Sequence, residues 1–243
     1  MRLGLGLSLS NVPGGASVFN PATLSLTGWW RASFSASPWS GTASAGGSGS
    51  RDLTEATNPP AAGSAVNGLT PADFDGTNDK LTAPGTMDTY WNAGAGSGWV
   101  LAYVDAISTD NALVYLNDCI LSTSPAMYLG VYLRSSGVVG IRFVDVGEVV
   151  VSTSISTGAW VLVQWKYDGS TIKIRTNGNA WTSAAAGNIG LLSQSIVLGQ
   201  NYDGSEKLDG KILDVGLADT ALSDANFDNV LAYCRDRYGL ALA

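Results

Sequence analysis

From residue 66 onward, apolar and polar residues alternate in short runs separated by turn-forming residues. No other feature of the 243-residue chain constrains its fold as strongly. A two-residue period puts successive side chains on opposite faces of an extended strand. The runs predicted as strands are 98–107, 112–120, 127–134, 138–145, 148–154, 159–168, 170–176, 195–200 and 210–218. Ser135-Ser136-Gly137, Asp168-Gly169 and Asn177-Gly178 separate several of them. Asp-Gly and Asn-Gly turn hairpins because both residues tolerate positive φ. Many strands at short spacing point to a sandwich or barrel, not to a parallel α/β sheet.

One segment departs from this period. In LSDANFDNVLAYCRDRYGL, Phe227, Val230, Leu231, Cys234 and Tyr238 recur at steps of three and four. That spacing makes one apolar face of a helix. Ser223 can cap its start, Asp224 suits the positive end of the dipole, and Gly239 suits the stop. The helix is expected to pack on the edge or back of the sandwich.

The alternation also assigns faces. Val161, Val163, Trp165 and Tyr167 form an apolar face, while Trp160, Leu162, Gln164 and Lys166 form a mixed one, as in a sheet with one wet side. After the turn, Ile172 and Ile174 continue one face, and Lys173 and Arg175 point to the other.

Composition excludes several classes of function. Hydrophobic residues make up 45% of the chain, enough for a sizeable core. Charged residues make up 14%, against about 25% in an average soluble domain. Low charge suits a surface partly covered by neighbours. The net charge of −7 and the lack of any Lys/Arg cluster argue against nucleic acid and anionic membranes as partners. No apolar run approaches the roughly 20 residues of a membrane span.

The first residues, MRLGLGLSLSNVPGG, alternate where a signal sequence would run apolar without interruption. The start is therefore expected to be unprocessed. Residues 1–20 are expected to form an extended arm, with residues 21–243 as a single domain. Leu3, Leu5, Leu7 and Leu9 would share one face of that arm, opposite Gly4, Gly6 and Ser8, and could add to a sheet edge as an anchor. An ordinary first strand is the alternative. Residues 35–50 are rich in small residues and read as a flexible loop.

Three stretches carry a family resemblance. NGLTPADFDGTNDKL (67–81), TGAWVLVQWKYDGSTIKIRTNG (157–178) and LDGKILDVGLADTALSDANFDNVLAYCRDRYGL (208–240) resemble, in order and spacing, laminin G-like members of the concanavalin A-like superfamily. The resemblance implies an all-β, two-sheet antiparallel jelly-roll sandwich with one C-terminal α-helix. PATLSLTGWWRAS and SGSRDLTEA resemble a preceding segment of bacterial and bacteriophage versions. The MRLGLGLSL opening resembles the start of small phage virion proteins. The family's paired histidines after the hairpin Trp are replaced here by Val161 and Leu162.

Catalytic signatures are sparse. With no His in the chain, Ser-His-Asp and Cys-His catalysis and the usual zinc sites are excluded. Only Glu55, Glu148 and Glu206 are present as Glu, and none falls in the Glu-x-Asp-x-x-Glu strand that glycan hydrolases of this fold share. A pair of Asp could still serve, because hydrolysis needs two carboxylates about 5–10 Å apart.

Calcium is the one cofactor with a sequence basis. Asp75, Asn78 and Asp79 cluster in FDGTND, and hard cations take such oxygens. A turn held by Asx hydrogen bonds is the competing reading. Trp29, Trp30, Trp39, Trp91 and Tyr202 fall outside the predicted strands, and Trp29, Trp30, Trp39 and Tyr202 are the candidates for glycan or partner contact. Trp29 and Trp30 cannot both point inward from one extended segment. Cys119 and Cys234 are too few for a disulfide framework, and whether they pair is open.

The function these features imply is a non-enzymatic bacteriophage virion surface protein, a capsid decoration or cement protein or a fibre component, with a capacity for glycan binding. Its partners would be capsid or tail proteins and host-surface glycans, with a homo-oligomer left open. A bacterial carbohydrate-binding module is the alternative, and a glycan hydrolase comes third.

Overall fold

The computed structural model describes residues 19–43, 50–91, 94–106, 111–119, 127–133, 137–143, 147–186, 195–200 and 207–242. In chain order the strands are β1 (Gly28–Arg31), β2 (Gly41–Thr42), β3 (Ala61–Ala62), β4 (Ala72–Asp75) and β5 (Leu81–Thr82). Next come β6 (Gly96–Ala106), β7 (Asn111–Cys119), β8 (Met127–Leu133), β9 (Val138–Phe143) and β10 (Gly147–Ser154). Then follow β11 (Trp160–Tyr167), β12 (Thr171–Thr176), β13 (Thr182–Ala185), β14 (Ile196–Leu198) and β15 (Asp209–Ala218). Helix α1 (Asp224–Tyr238) closes the order.

All the strands pair antiparallel, in two sheets. The larger runs β13-β12-β11-β6-β15-β1-β2, with β4 also on β15 and β3 on β4. The smaller runs β10-β9-β8-β7-β14-β5. Strand β15 organises the larger sheet. One of its edges pairs with β6 throughout, while the other is shared, Asp209–Ile212 taking β4 and Asp214–Leu217 taking β1. The nine strands read from alternation lie where expected, to within a few residues. The short strands β1 to β5 and β13 were not anticipated, since two to four residues carry too little period to read.

The apolar residues divide into two layers. Between the sheets lie Trp30, Val100, Ala102, Val104, Val161, Val163, Trp165, Tyr167, Ile172 and Ile174, against Val131, Leu133, Val139, Ile141, Ile196 and Leu198 of the smaller sheet. On the outer face of the larger sheet, Trp29, Trp99, Leu101, Leu162 and Leu213 pack against Phe227, Val230, Leu231, Tyr233, Cys234 and Tyr238 of α1. The middle of the β11 face expected to be wet, Leu162 and Gln164, is therefore buried under the helix, while Trp160 and Lys166 at its two ends are half-buried. Cys234 is buried and free.

The ends of α1 follow its sequence signals. The Ser223 side chain accepts the Asn226 N–H at 3.2 Å. Gly239 takes the left-handed conformation, φ 62°, and donates its N–H to the Arg235 carbonyl. No described helix is long and apolar enough to cross a membrane.

Candidate functional site

The acidic loop read as either a calcium site or an Asx turn is built as a turn. Asp75 ends β4, and its Oδ1 accepts the N–H groups of Thr77 at 2.8 Å and Asn78 at 3.4 Å. The Asp79 carboxylate accepts the Asp75 N–H at 3.0 Å. Burial, reinforced by the charges of Asp75 and Asp73, pushes the Asp79 carboxyl upward against the effect of that hydrogen bond. Among the described residues, no group of three or more His, Cys, Asp or Glu side chains is placed to hold a metal ion.

The tryptophans expected at a contact surface lie inside. Trp29, Trp30 and Trp39 are 4%, 0% and 2% exposed, and Trp91 is buried as well. Trp29 and Trp30 do point to opposite faces of β1, as alternation requires. Both are nevertheless buried, because the smaller sheet covers one face and α1 covers the other. Trp39 bridges to Leu53 and packs edge-on against Phe34, so the segment read as a flexible loop contains core. Tyr202 and the arm residues Leu3, Leu5, Leu7 and Leu9 lie outside the described residues.

Two buried polar groups join the outer face to the helix. Asp214, fully buried, receives the indole N–H groups of Trp29 and Trp99 at 2.9 Å each. Burial raises its pKa to about 6, against the lowering effect of the hydrogen bonds from Trp99, Tyr238 and Trp29. Gln164 donates to the Phe227 carbonyl at 2.7 Å and accepts from Arg175 Nε at 2.8 Å. Arg175 also reaches Asp228 at 2.7 Å. With its oxygens taken up by these donors, Asp214 reads as a structural link between sheet and helix.

Beyond the helix, the outer face carries a row of side chains across four strands. Trp160 of β11 faces Tyr103 of β6, Tyr103 faces Lys211 of β15, and Lys211 faces Asp73 of β4. The Trp160 and Tyr103 rings are half-buried, 5.4 Å apart between centroids and inclined at 58°. The Lys211 ammonium lies 5.0 Å from the centre of the Tyr103 ring. It pairs with Asp105, two residues along β6 on the same face, and with Asp73 at 3.5 Å. Burial alone would lower the Lys211 pKa, but the hydrogen bond to Asp105 and the charges of Asp73 and Asp105 outweigh it and raise it. Burial and the Asp105 charge push the nearby Asp209 carboxyl upward as well.

Chemically, the row is an aromatic platform flanked by hydrogen-bonding charges. An aromatic face accepts the C–H side of a sugar ring through its quadrupole and apolar area. Lysine and carboxylate beside it offer donors and acceptors to hydroxyl groups. Alternation alone could have placed Tyr103, Asp105 and Trp160 on their faces. The row itself depends on pairing between segments far apart in sequence.

These features define a two-sheet antiparallel jelly-roll sandwich with a helix on its outer face. A sialidase from Trypanosoma rangeli, solved in complex with sialic acid, is similar at 14% identity and a TM-score of 0.63, over 91% of this chain and 34% of that one. A heptameric SAP-like pentraxin from Limulus polyphemus is similar at 17% identity and a TM-score of 0.50, over 67% and 81%. Domain 4 of AbnA, a GH43 extracellular arabinanase from Geobacillus stearothermophilus, in complex with arabinotriose, is similar at 14% identity and a TM-score of 0.50, over 77% and 82%. The chain thus spans about a third of the sialidase it resembles. No family model and no curated sequence matches it. None of the three structures named is of a virion protein.

Proposed function

We propose that this chain is a carbohydrate-binding module that acts without catalysis, with the sugar seated on the Trp160–Tyr103 platform. The observation that carries this reading is the row itself, half-exposed aromatic rings next to Lys211 on a rigid sheet. Sites on strands hold their geometry better than sites on loops. Sugar-bound examples among similar folds, such as the arabinanase domain with arabinotriose, lend support. The binding role is further supported by the absence of His and by the engagement of Asp73 and Asp105 with Lys211.

The test is a glycan array followed by calorimetric titration of the sugars that bind. Trp160→Ala and Tyr103→Ala should abolish binding while leaving the thermal transition in place. Equal binding by both variants would move the site elsewhere. Release of reducing ends from a bound glycan would replace the module with a hydrolase.

A virion surface as the setting remains part of the proposal and rests on the resemblance of the opening residues. Detection of the protein in purified phage particles would support it. A gene placed among polysaccharide-utilisation genes would oppose it.

A further inference from the structure

Strand β11 carries a second feature at its other end, about 20 Å from Trp160 at the usual rise of a strand. Lys166 of β11 and Lys173 of β12 are direct cross-strand partners. Like charges directly opposite each other destabilise an antiparallel pair. Both lysines stand on the outer face, since Ile172 and Ile174 point between the sheets. Together with Asp168, Thr171, Ala221, Leu222 and Ser223 they line a cavity of about 230 Å³.

The other charges around this cavity are largely committed. Lys166 pairs with Asp224 and lies 5.0 Å from the Trp181 ring centre, which holds its ammonium in place. Arg175, also on the Trp181 ring, is paired with Asp228. Asp168 uses Oδ1 to accept from the Thr171 N–H, the Ser170 N–H and the Ser170 hydroxyl, at 2.8, 3.0 and 2.9 Å. The Thr171 N–H, followed by the two Ser170 bonds, holds the Asp168 carboxyl below its ordinary range, and the Lys173 charge adds slightly.

Lys173 has Lys166 on one side and Ser183 on the other. Among the described residues, no carboxylate lies within ion-pair distance of it. A like-charged pair in which Lys166 has its own carboxylate while Lys173 has only the longer-range attraction of Asp168 is the kind of exception that marks a functional position.

We propose that this cavity is a second binding site, for an oxyanion such as a sulfate or the carboxylate of an acidic sugar, with Lys173 as its main ligand. A bound oxyanion accepts a charge-assisted hydrogen bond from Lys173 and offsets the repulsion between the two lysines. Thr171 lines the same cavity, and a threonine hydroxyl can donate to a second oxygen. The site is independent of the Trp160–Tyr103 row, and its charge preference is its own.

The experiment is an NMR titration of the full-length, isotope-labelled chain at constant ionic strength, with chloride replaced by sodium sulfate or by sodium glucuronate. Saturable shifts confined to residues 166–173 and 221–224 are expected with at least one of the two. Sulfate alone points to a free or sulfated ligand, and glucuronate alone to an acidic sugar. Lys173→Gln should bind at least about tenfold more weakly, the loss of one charge-assisted hydrogen bond, with an unchanged or raised melting temperature. No saturable response to either anion, or equal binding by Lys173→Gln, overturns the proposal.

Discussion

Tyr238 donates its hydroxyl to the Oδ2 atom of Asp214 at 2.8 Å, and so ties the last turn of α1 to strand β15. The bond lies wholly inside the layer between sheet and helix, with Asp214 at 0% and Tyr238 at 1% exposure. The other carboxylate oxygen carries the two indoles of Trp29 and Trp99. One buried acid thus holds β1, β6 and the helix together.

Asp214→Ala should leave three buried donors without an acceptor. Each such loss costs about 1–3 kcal/mol, so a drop of at least roughly 3 kcal/mol in unfolding free energy is expected. Urea denaturation with far-UV and near-UV detection measures it. A loss under about 1 kcal/mol would show that water or a neighbouring group replaces the carboxylate.

The same residue gives a pH signature. Its folded pKa of about 6 lies above the ordinary 3.8, so the native state holds a proton that the unfolded state has released between those values. The contribution is fully present below about 3.8 and is lost as pH rises through about 6. Asp214→Asn keeps the shape and removes the titration. From pH 4 to pH 7 the stability of the native chain should fall relative to this variant by an amount on the order of 3 kcal/mol. Parallel pH profiles for the two proteins would rule this out.

Gln164 is the second polar link, and its removal should also be costly. Gln164→Leu leaves the buried Arg175 Nε and the Phe227 carbonyl without their partner. A loss of about 2–4 kcal/mol is expected. Asp228→Asn, at the exposed end of the same chain of bonds, should cost under about 1 kcal/mol. The ratio of the two losses, read from denaturation midpoints, checks whether the buried bond or the surface ion pair matters.

Gly216 lies under the Trp99 ring, where an added Cβ would meet Cζ2 at 2.1 Å. Gly216→Ala should therefore push the indole off Asp214 and cost at least about 1–3 kcal/mol, as overpacking does. A lowered melting temperature with a changed tryptophan emission is the expected result, and an unchanged transition would mean that the layer gives way without loss.

The turn at Asp75–Asp79 predicts that calcium has little effect. Its carboxylates already accept backbone N–H groups. Millimolar calcium, or its removal by chelation, should leave the melting temperature within about a degree, because only a ligand that binds the native state raises it. A rise of several degrees, lost in Asp79→Asn, would establish a metal site.

The amino-acid sequence by itself determined the class of fold, most of the long strands and the one helix. Period-two alternation in 98–176 and period-3.6 spacing in 227–238 are local signals, and backbone geometry converts them directly into strand and helix. The two caps, Ser223 and Gly239, were legible for the same reason. Which faces are covered was decided only in three dimensions. Alternation puts Trp29 opposite Trp30 and Gln164 opposite Trp165, but it cannot say that α1 lies over the outer face, so half of each pair was expected at the surface. The candidate row had the same cause. Tyr103, Trp160, Lys211 and Asp73 meet because β11, β6, β15 and β4 are neighbours. That order is set by long-range packing and leaves no mark in any one segment.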